Sequence, residues 1–218
     1  MANNPIDTPY GENDFSRDVN VSRETLDALI RYHDHVVKWQ KVVNLVGPES
    51  LGYIWHRHIL DSAQLLPLLP KKDKPVILLD LGSGGGFPGL VLAILAVGQG
   101  LDLAVHLVES NGRKCSFLRE TARVCGVNVE IHRQRLEQIS PFEVDVITAR
   151  GFAPLPKLLD LAEPFLTLSD PLALLLKGRT CDQELTAARK NWKIEADTIP
   201  SESDPEGVVL RIKGIKRG

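Results

Sequence analysis

Between one aliphatic run and another the chain reads Leu79-Asp80-Leu81-Gly82-Ser83-Gly84-Gly85-Gly86-Phe87-Pro88-Gly89. Four of the five residues 82–86 are glycine, which frees the backbone to take left-handed dihedrals and to approach a ligand closely. The spacing Gly84-x-Gly86-x-x-Gly89 fits a dinucleotide fingerprint, so a nicotinamide cofactor and an NAD-linked oxidoreductase form one reading. Three features favour another ligand. Pro88 removes an N–H from the first turn of the following helix, where a pyrophosphate needs donors. Asp80 precedes the glycines, a poor neighbour for phosphates and a good acceptor for an amine or cation. The unit also follows a long helical stretch instead of opening the chain. S-adenosylmethionine (SAM) has a sulfonium, an ammonium and no phosphate, and it suits an acidic strand end with a glycine turn. Asp80, Gly82, Gly84, Gly86 and Phe87 are the expected contacts.

The next aliphatic run, Leu103–Val108, ends in Glu109, followed by Ser110 and Asn111. A carboxylate at a strand tip beside the glycine loop can grip both ribose hydroxyls. NAD enzymes use the same device, so Glu109 marks an adenosine without naming it. Leu136 and Glu137 fall where such folds meet the adenine. Thr148-Ala149-Arg150 closes a further strand, and an arginine there can hold a phosphate or base edge in a fork. No Asp/Asn-Pro-Pro-aromatic motif or Pro-Cys pair follows, which argues against exocyclic-amine and pyrimidine C5 chemistry. Arg150 is then the main candidate for positioning charge at a reaction centre.

Metal chemistry is not expected. His56 and His58, two apart on a helix, face different ways, although His58 and Asp61 could pair. Cys115, Cys125 and Cys181 form no CxxC pair, which fits a reducing compartment and no zinc site.

The elements that must position these residues follow from the pattern. Ser22 can cap a helix over 22–46, ended by Gly47-Pro48, and a second helical pattern runs from about Glu49 to Leu66. Beyond Pro75 six aliphatic runs alternate with helical stretches: Val76–Leu79, Ala104–Val108, Val127–Ile131, Val144–Thr148, Leu172–Leu176 and Val208–Ile212. That alternation means βαβ units and a mostly parallel sheet, an α/β fold. The division expected is a frayed tail over 1–20, a helical cap over 21–72 and an α/β domain over 73–218, forming one structural unit. With 218 residues, 43% hydrophobic and 25% charged, the chain suits a single globular domain. Its longest aliphatic run, Leu90–Val97, is far short of the roughly 20 residues that span a bilayer. No signal peptide or membrane association is expected, and the cytoplasm is the expected location.

With these residues in view, the chain resembles the RsmG (GidB) family of bacterial rRNA methyltransferases. The likeness lies in Asn44-Leu45-Val46, Trp55-His56-Arg57-His58-Ile59-Leu60-Asp61-Ser62, the glycine loop, Gly112-Arg113-Lys114 with Phe117-Leu118-Arg119, Thr148-Ala149-Arg150 and Leu176-Lys177-Gly178. The resemblance implies a Rossmann-like class I methyltransferase with a seven-stranded sheet, and N7 methylation of a guanine in the 530-loop region of 16S rRNA using SAM, with Arg150 as the catalytic residue that acts by positioning and no general base, since N7 carries no proton. It departs at Gly85, Leu136 and Gly151, where alanine is usual, and at Gly207, where an arginine is common. A SAM-binding protein of this fold acting on another substrate is the remaining alternative. The expected partner is 16S rRNA or the small ribosomal subunit, met by a monomer without an obligate protein partner.

Net charge is −2, yet six basic and two acidic residues occupy 111–135. RNA contact is expected from Arg113, Lys114 and Arg119 there, and from His56, Arg57 and Lys177. The alternative for the basic run is a solvated helix face.

Overall fold

The aliphatic runs become strands in the computed structural model, which describes residues 10–218. They are β1 (Val76–Leu81), β2 (Leu103–Val108), β3 (Glu130–His132), β4 (Val146–Arg150), β5 (Leu172–Lys177), β6 (Trp192–Pro200) and β7 (Val208–Arg217). The sheet order is β3-β2-β1-β4-β5-β7-β6. β1 to β5 are parallel, and β7 is antiparallel to both its neighbours. The sequence order reverses direction at β1 and β4, which makes the carboxyl ends of those two strands a topological switch point. β6 was absent from the six aliphatic runs because its Lys193, Glu195 and Asp197 break the pattern of an edge strand. The third run was expected to begin at Val127, but that residue still closes the preceding helix: Gly126 is left-handed (φ 71°) and the Val127 N–H returns to the Ala122 carbonyl.

The helices are α1 (Glu12–Asp18), α2 (Arg23–Gln40), α3 (Asp61–Ala63), α4 (Gly89–Gly98), α5 (Gly112–Cys125), α6 (Leu155–Ser169) and α7 (Cys181–Ala188). Residues 10–20 correct the expected tail. They carry α1, whose Phe15 is fully buried with its ring 5.6 Å from that of Trp55. One aromatic anchor orders a segment whose polar composition looked frayed; residues 1–9 lie outside the described part. α2 starts at the expected Ser22 cap but stops at Gln40. The Gln40 amide then accepts from the Leu45 and Val46 N–H groups and donates to the Val46 carbonyl, turning the chain back well before Gly47. The second expected helix is helical but irregular: a 3₁₀ turn over Pro48–Tyr53, a π-helical turn over Trp55–Leu60, then α3. The wider turn buries Trp55, His58, Ile59 and Leu60 together.

α4 is apolar on every side because it is covered on every side. Its residues Gly89 to Ala96 are all buried between the sheet and α2. Cap residues Phe15, Leu29, Tyr32 and Ile59 share one continuous core with α4, α5 and β1. The opposite face of the sheet buries α6 and α7. Among the described residues no helix is long and apolar enough to cross a membrane.

Candidate active site

The glycine loop leaves β1 at the switch point with Gly82, Gly84 and Gly86 all in the left-handed region (φ 68°, 54° and 90°). A side chain at Gly82 would run into the Phe152 ring. Two neighbours hold the loop in shape. From the cap, the buried Tyr32 hydroxyl donates to the Gly85 carbonyl at 2.5 Å. From β2, the Ser83 N–H reaches the Val108 carbonyl at 2.9 Å. The Glu109 carboxylate accepts from the Gly84 N–H at 3.2 Å and from the Asn111 N–H at 2.7 Å, one bond to each oxygen. Each oxygen keeps a free lone pair, so the carboxylate both fixes the loop and remains open to hydroxyl donors.

Three neighbouring cavities open along this edge, sharing lining residues, and together make up a trough. The first, about 320 Å³, is lined by Gly82, Glu109, Ser110, Leu136, Glu137 and Phe152, among others. The second, about 330 Å³, takes in Gly82, Gly84, Phe87, His58, Lys114 and Arg150. The third, about 250 Å³, includes Arg57, Asp61, Arg150, Lys177 and Gly207. Gly151 lines all three, and Arg150 lies where the second meets the third.

Arg150 extends from the end of β4 with its guanidinium carbon 5.7 Å from the centre of the Phe87 ring and Nε 3.5 Å from Asp61 Oδ2. Its Nη1 is buried and has no hydrogen-bond partner among the described residues. Burial lowers its pKa from the ordinary arginine value, yet a guanidinium stays charged. Asp61 is fixed in turn by the hydroxyls of Ser203 (2.7 Å) and Ser201 (3.2 Å), from the β6–β7 connection. His58 does not pair with Asp61. Its Nε2 meets Ser50 Oγ at 2.9 Å, its Nδ1 is buried without a partner among the described residues, and burial pushes its pKa down to about 2. It is a neutral imidazole at any working pH.

Several expected contacts are displaced. Asp80 is fully buried beneath the loop and lines none of these cavities; its Oδ1 accepts from the Thr148 hydroxyl at 2.8 Å. A Cβ on Gly89 would come within 2.8 Å of Asp80 Oδ2, so this carboxyl packs α4 onto β1. Gly86 also faces inward, where a Cβ would meet Leu90 at 2.9 Å and the Tyr32 hydroxyl at 3.1 Å. Asn111 caps α5, accepting from the Arg113 and Lys114 N–H groups, and lies outside the trough. His56 packs 5.0 Å from the Tyr10 ring. Arg113 and Arg119 stand exposed on α5, apart from the cavities, whereas Lys114 reaches the second one. Lys177 is held by Glu184 at 2.8 Å and the Ala153 carbonyl at 3.0 Å, which leaves its ammonium largely spoken for. Gly207 is buried, and a Cβ there would crowd Asp204 and Ser201 at 3.0 and 3.1 Å; Arg57 is the cation beside it. Tyr32, Phe152 and the Asp61–Ser203 link were not singled out from sequence, since each acts through a partner more than fifty residues away.

The residues present fit SAM. A glycine loop beside an open carboxylate is a cradle that can take an adenosine, and α4 begins behind Pro88 without the run of free N–H groups that a pyrophosphate requires.

The family model described as rRNA small subunit methyltransferase G (GidB) matches residues 25–207. A ribosomal RNA small subunit methyltransferase G of Rhodospirillum rubrum is 50% identical over 203 residues, covering 93% of this chain and 97% of that protein. The one from Paramagnetospirillum magneticum is 49% identical over 198 residues, covering 91% and 93%. Among solved structures, the ribosomal protein L11 methylase of Lactobacillus delbrueckii subsp. bulgaricus superposes with TM-score 0.54 at 15% identity, covering 71% of this chain and 76% of its own. TYW2 of M. jannaschii, in complex with AdoMet, gives 0.52 at 15% identity, with 74% and 76% covered. These likenesses to solved structures establish the methyltransferase fold.

Proposed function

The chain belongs to the GidB family, rRNA small subunit methyltransferase G, and from that premise we propose that it methylates N7 of a guanine in the 530-loop region of 16S rRNA. When bound, SAM supplies an electrophilic methyl group on a sulfonium. The relatives are named as methyltransferases, and the NAD-linked alternative is not favoured.

The observation that carries the proposal is Arg150, a buried guanidinium whose Nη1 has no partner among the described residues, at the junction between the cofactor side of the trough and the basic third cavity. Guanine N7 has a lone pair and no proton, so the attack needs alignment and desolvation instead of a base. His58 fits that requirement, for an imidazole whose pKa is pushed down to about 2 accepts a proton poorly. Glu109 holds the ribose while Leu136 and Glu137 border the adenine. Arg150 positions a phosphate or base edge, and Asp61 beside it tempers the positive charge that the methylated base acquires. Arg57 and Lys114 flank the mouth and meet the RNA backbone. The protein acts in the bacterial cytoplasm as a monomer and needs no obligate protein partner.

Incubation with tritiated SAM and small-subunit particles lacking the modification tests this reading. Label should enter small-subunit RNA, and SAM but not NAD should raise the melting temperature. SAM binding without transfer would leave a cofactor-binding protein with a different substrate.

A further inference from the structure

We propose that His106 on β2 with Glu130 and His132 on β3 form a binding site for a divalent transition-metal ion of the zinc type, away from the trough. Parallel register sets His106 opposite Glu130, and the two-residue period of a strand brings His132 onto the same face. His106 Nδ1 lies 3.0 Å from His132 Nε2. Glu130 Oε2 is 3.5 Å from the first nitrogen, and Oε1 is 3.8 Å from the second. Tetrahedral coordination with bonds of about 2.0–2.2 Å separates neighbouring ligand atoms by roughly 3.3–3.6 Å. The two imidazole nitrogens and one carboxylate oxygen lie within 4.8 Å of one another, close to the spacing that such a site needs.

The rings are held for this geometry. Phe142 packs 4.7 Å from His106 and 5.8 Å from His132, and is itself braced edge-on by Phe165 at 5.6 Å. Both imidazoles are mostly covered, while Glu130 is exposed and can swing by a fraction of an ångström to complete the triangle. Among the described residues no lysine or arginine pairs with Glu130. Arg133, the nearest cation in sequence, projects from the other face of the strand towards Gly112. Two imidazoles and one carboxylate select zinc or its neighbours over magnesium or calcium, which prefer oxygen ligands throughout. Spacing along the chain does not reveal the set, because strand pairing assembles it from residues more than twenty apart. β3 has only three residues and lies at the sheet edge, and the His132 carbonyl accepts the Glu109 N–H at 3.1 Å. An ion there ties down the strand that supports the cofactor carboxylate. The simpler account is a stacked, hydrogen-bonded histidine pair that only packs under Phe142.

Calorimetric titration of Zn²⁺ into the tag-free full-length chain separates the two. The expected result is one ion per chain, a melting temperature raised by Zn²⁺ but not by Mg²⁺, and slower hydrogen exchange at amides 130–132 in the loaded protein. Glu130→Gln, a change at an exposed side chain, should weaken zinc roughly tenfold or more without lowering the melting temperature of the metal-free protein. The double variant His106→Gln/His132→Gln should lose the site. Binding that does not saturate at one ion, or an affinity unchanged by Glu130→Gln, would overturn the proposal and assign the uptake to the other histidines or the thiols.

Discussion

Glu109 has two tasks at once, because its oxygens bind the Gly84 and Asn111 N–H groups and still face the cavity. Glu109→Ala should therefore weaken SAM by about 1.5–3 kcal/mol, ten- to a hundredfold, through the lost charge-assisted contacts. Unchanged affinity in calorimetry would refute the ribose assignment. Arg150→Ala should slow single-turnover methyl transfer about a hundredfold, near 2.7 kcal/mol on the barrier, with lysine a poor rescue because a point charge cannot reproduce the fork. Both wild type and variant should give a flat rate between about pH 6.5 and 8.5, since no proton leaves N7 and His58 is neutral throughout. A steep profile would mean that a base takes part. Asp80 yields a stability prediction. Burial raises its folded-state pKa from 3.8 to about 6, so the folded state holds the proton more tightly than the unfolded chain. The contribution is complete below about pH 4 and is lost as pH rises through 6, a fall of about 3 kcal/mol. Asp80→Asn lacks that loss, so urea denaturation should show its stability relative to wild type rising between pH 4 and 7. A constant difference would contradict the assignment. At this scale the sequence revealed residue types that stand out, the glycine cluster and the strand-end Glu109 and Arg150. It could not show the direction each points, which is why Asp80 and Gly86 were expected in the pocket and lie beneath it.

α5 shows what an element adds. Its buried face, Cys115, Phe117, Leu118, Thr121 and Ala122, packs inward, so Arg113 and Arg119 are left facing solvent on the other side. We expect that face to meet RNA. Arg113→Glu with Arg119→Glu should lower RNA affinity and flatten its dependence on salt, while SAM affinity barely moves. Filter binding at several salt concentrations measures this, and an unchanged slope would leave the run as a solvated helix face. Elements were legible where an aliphatic run was unbroken, as in β1, β4, β5 and α4. They were obscured where a side chain overruled the pattern. The Gln40 amide ends α2 early, the helix widens to a π turn over Trp55–Leu60, and a single phenylalanine anchors α1.

Across the whole molecule, the cap, the sheet and the β6–β7 connection meet at one place. Tyr32 from α2 holds the glycine loop, Ser203 from the far end of the sheet holds Asp61, and Asp61 accompanies Arg150. This convergence was not legible beforehand, because it depends on contacts between residues 53 to 142 positions apart. In the proposed reading it sets the cofactor side of the trough beside a basic mouth and leaves the chemistry to alignment. The most direct test is mass spectrometry of nuclease fragments of 16S rRNA from cells with and without this protein. A single N7-methylguanosine is expected in the 530-loop fragment, one that disappears with the protein and returns with the wild-type chain. A methyl group on an exocyclic amine or ribose, or an unchanged fragment, would contradict it.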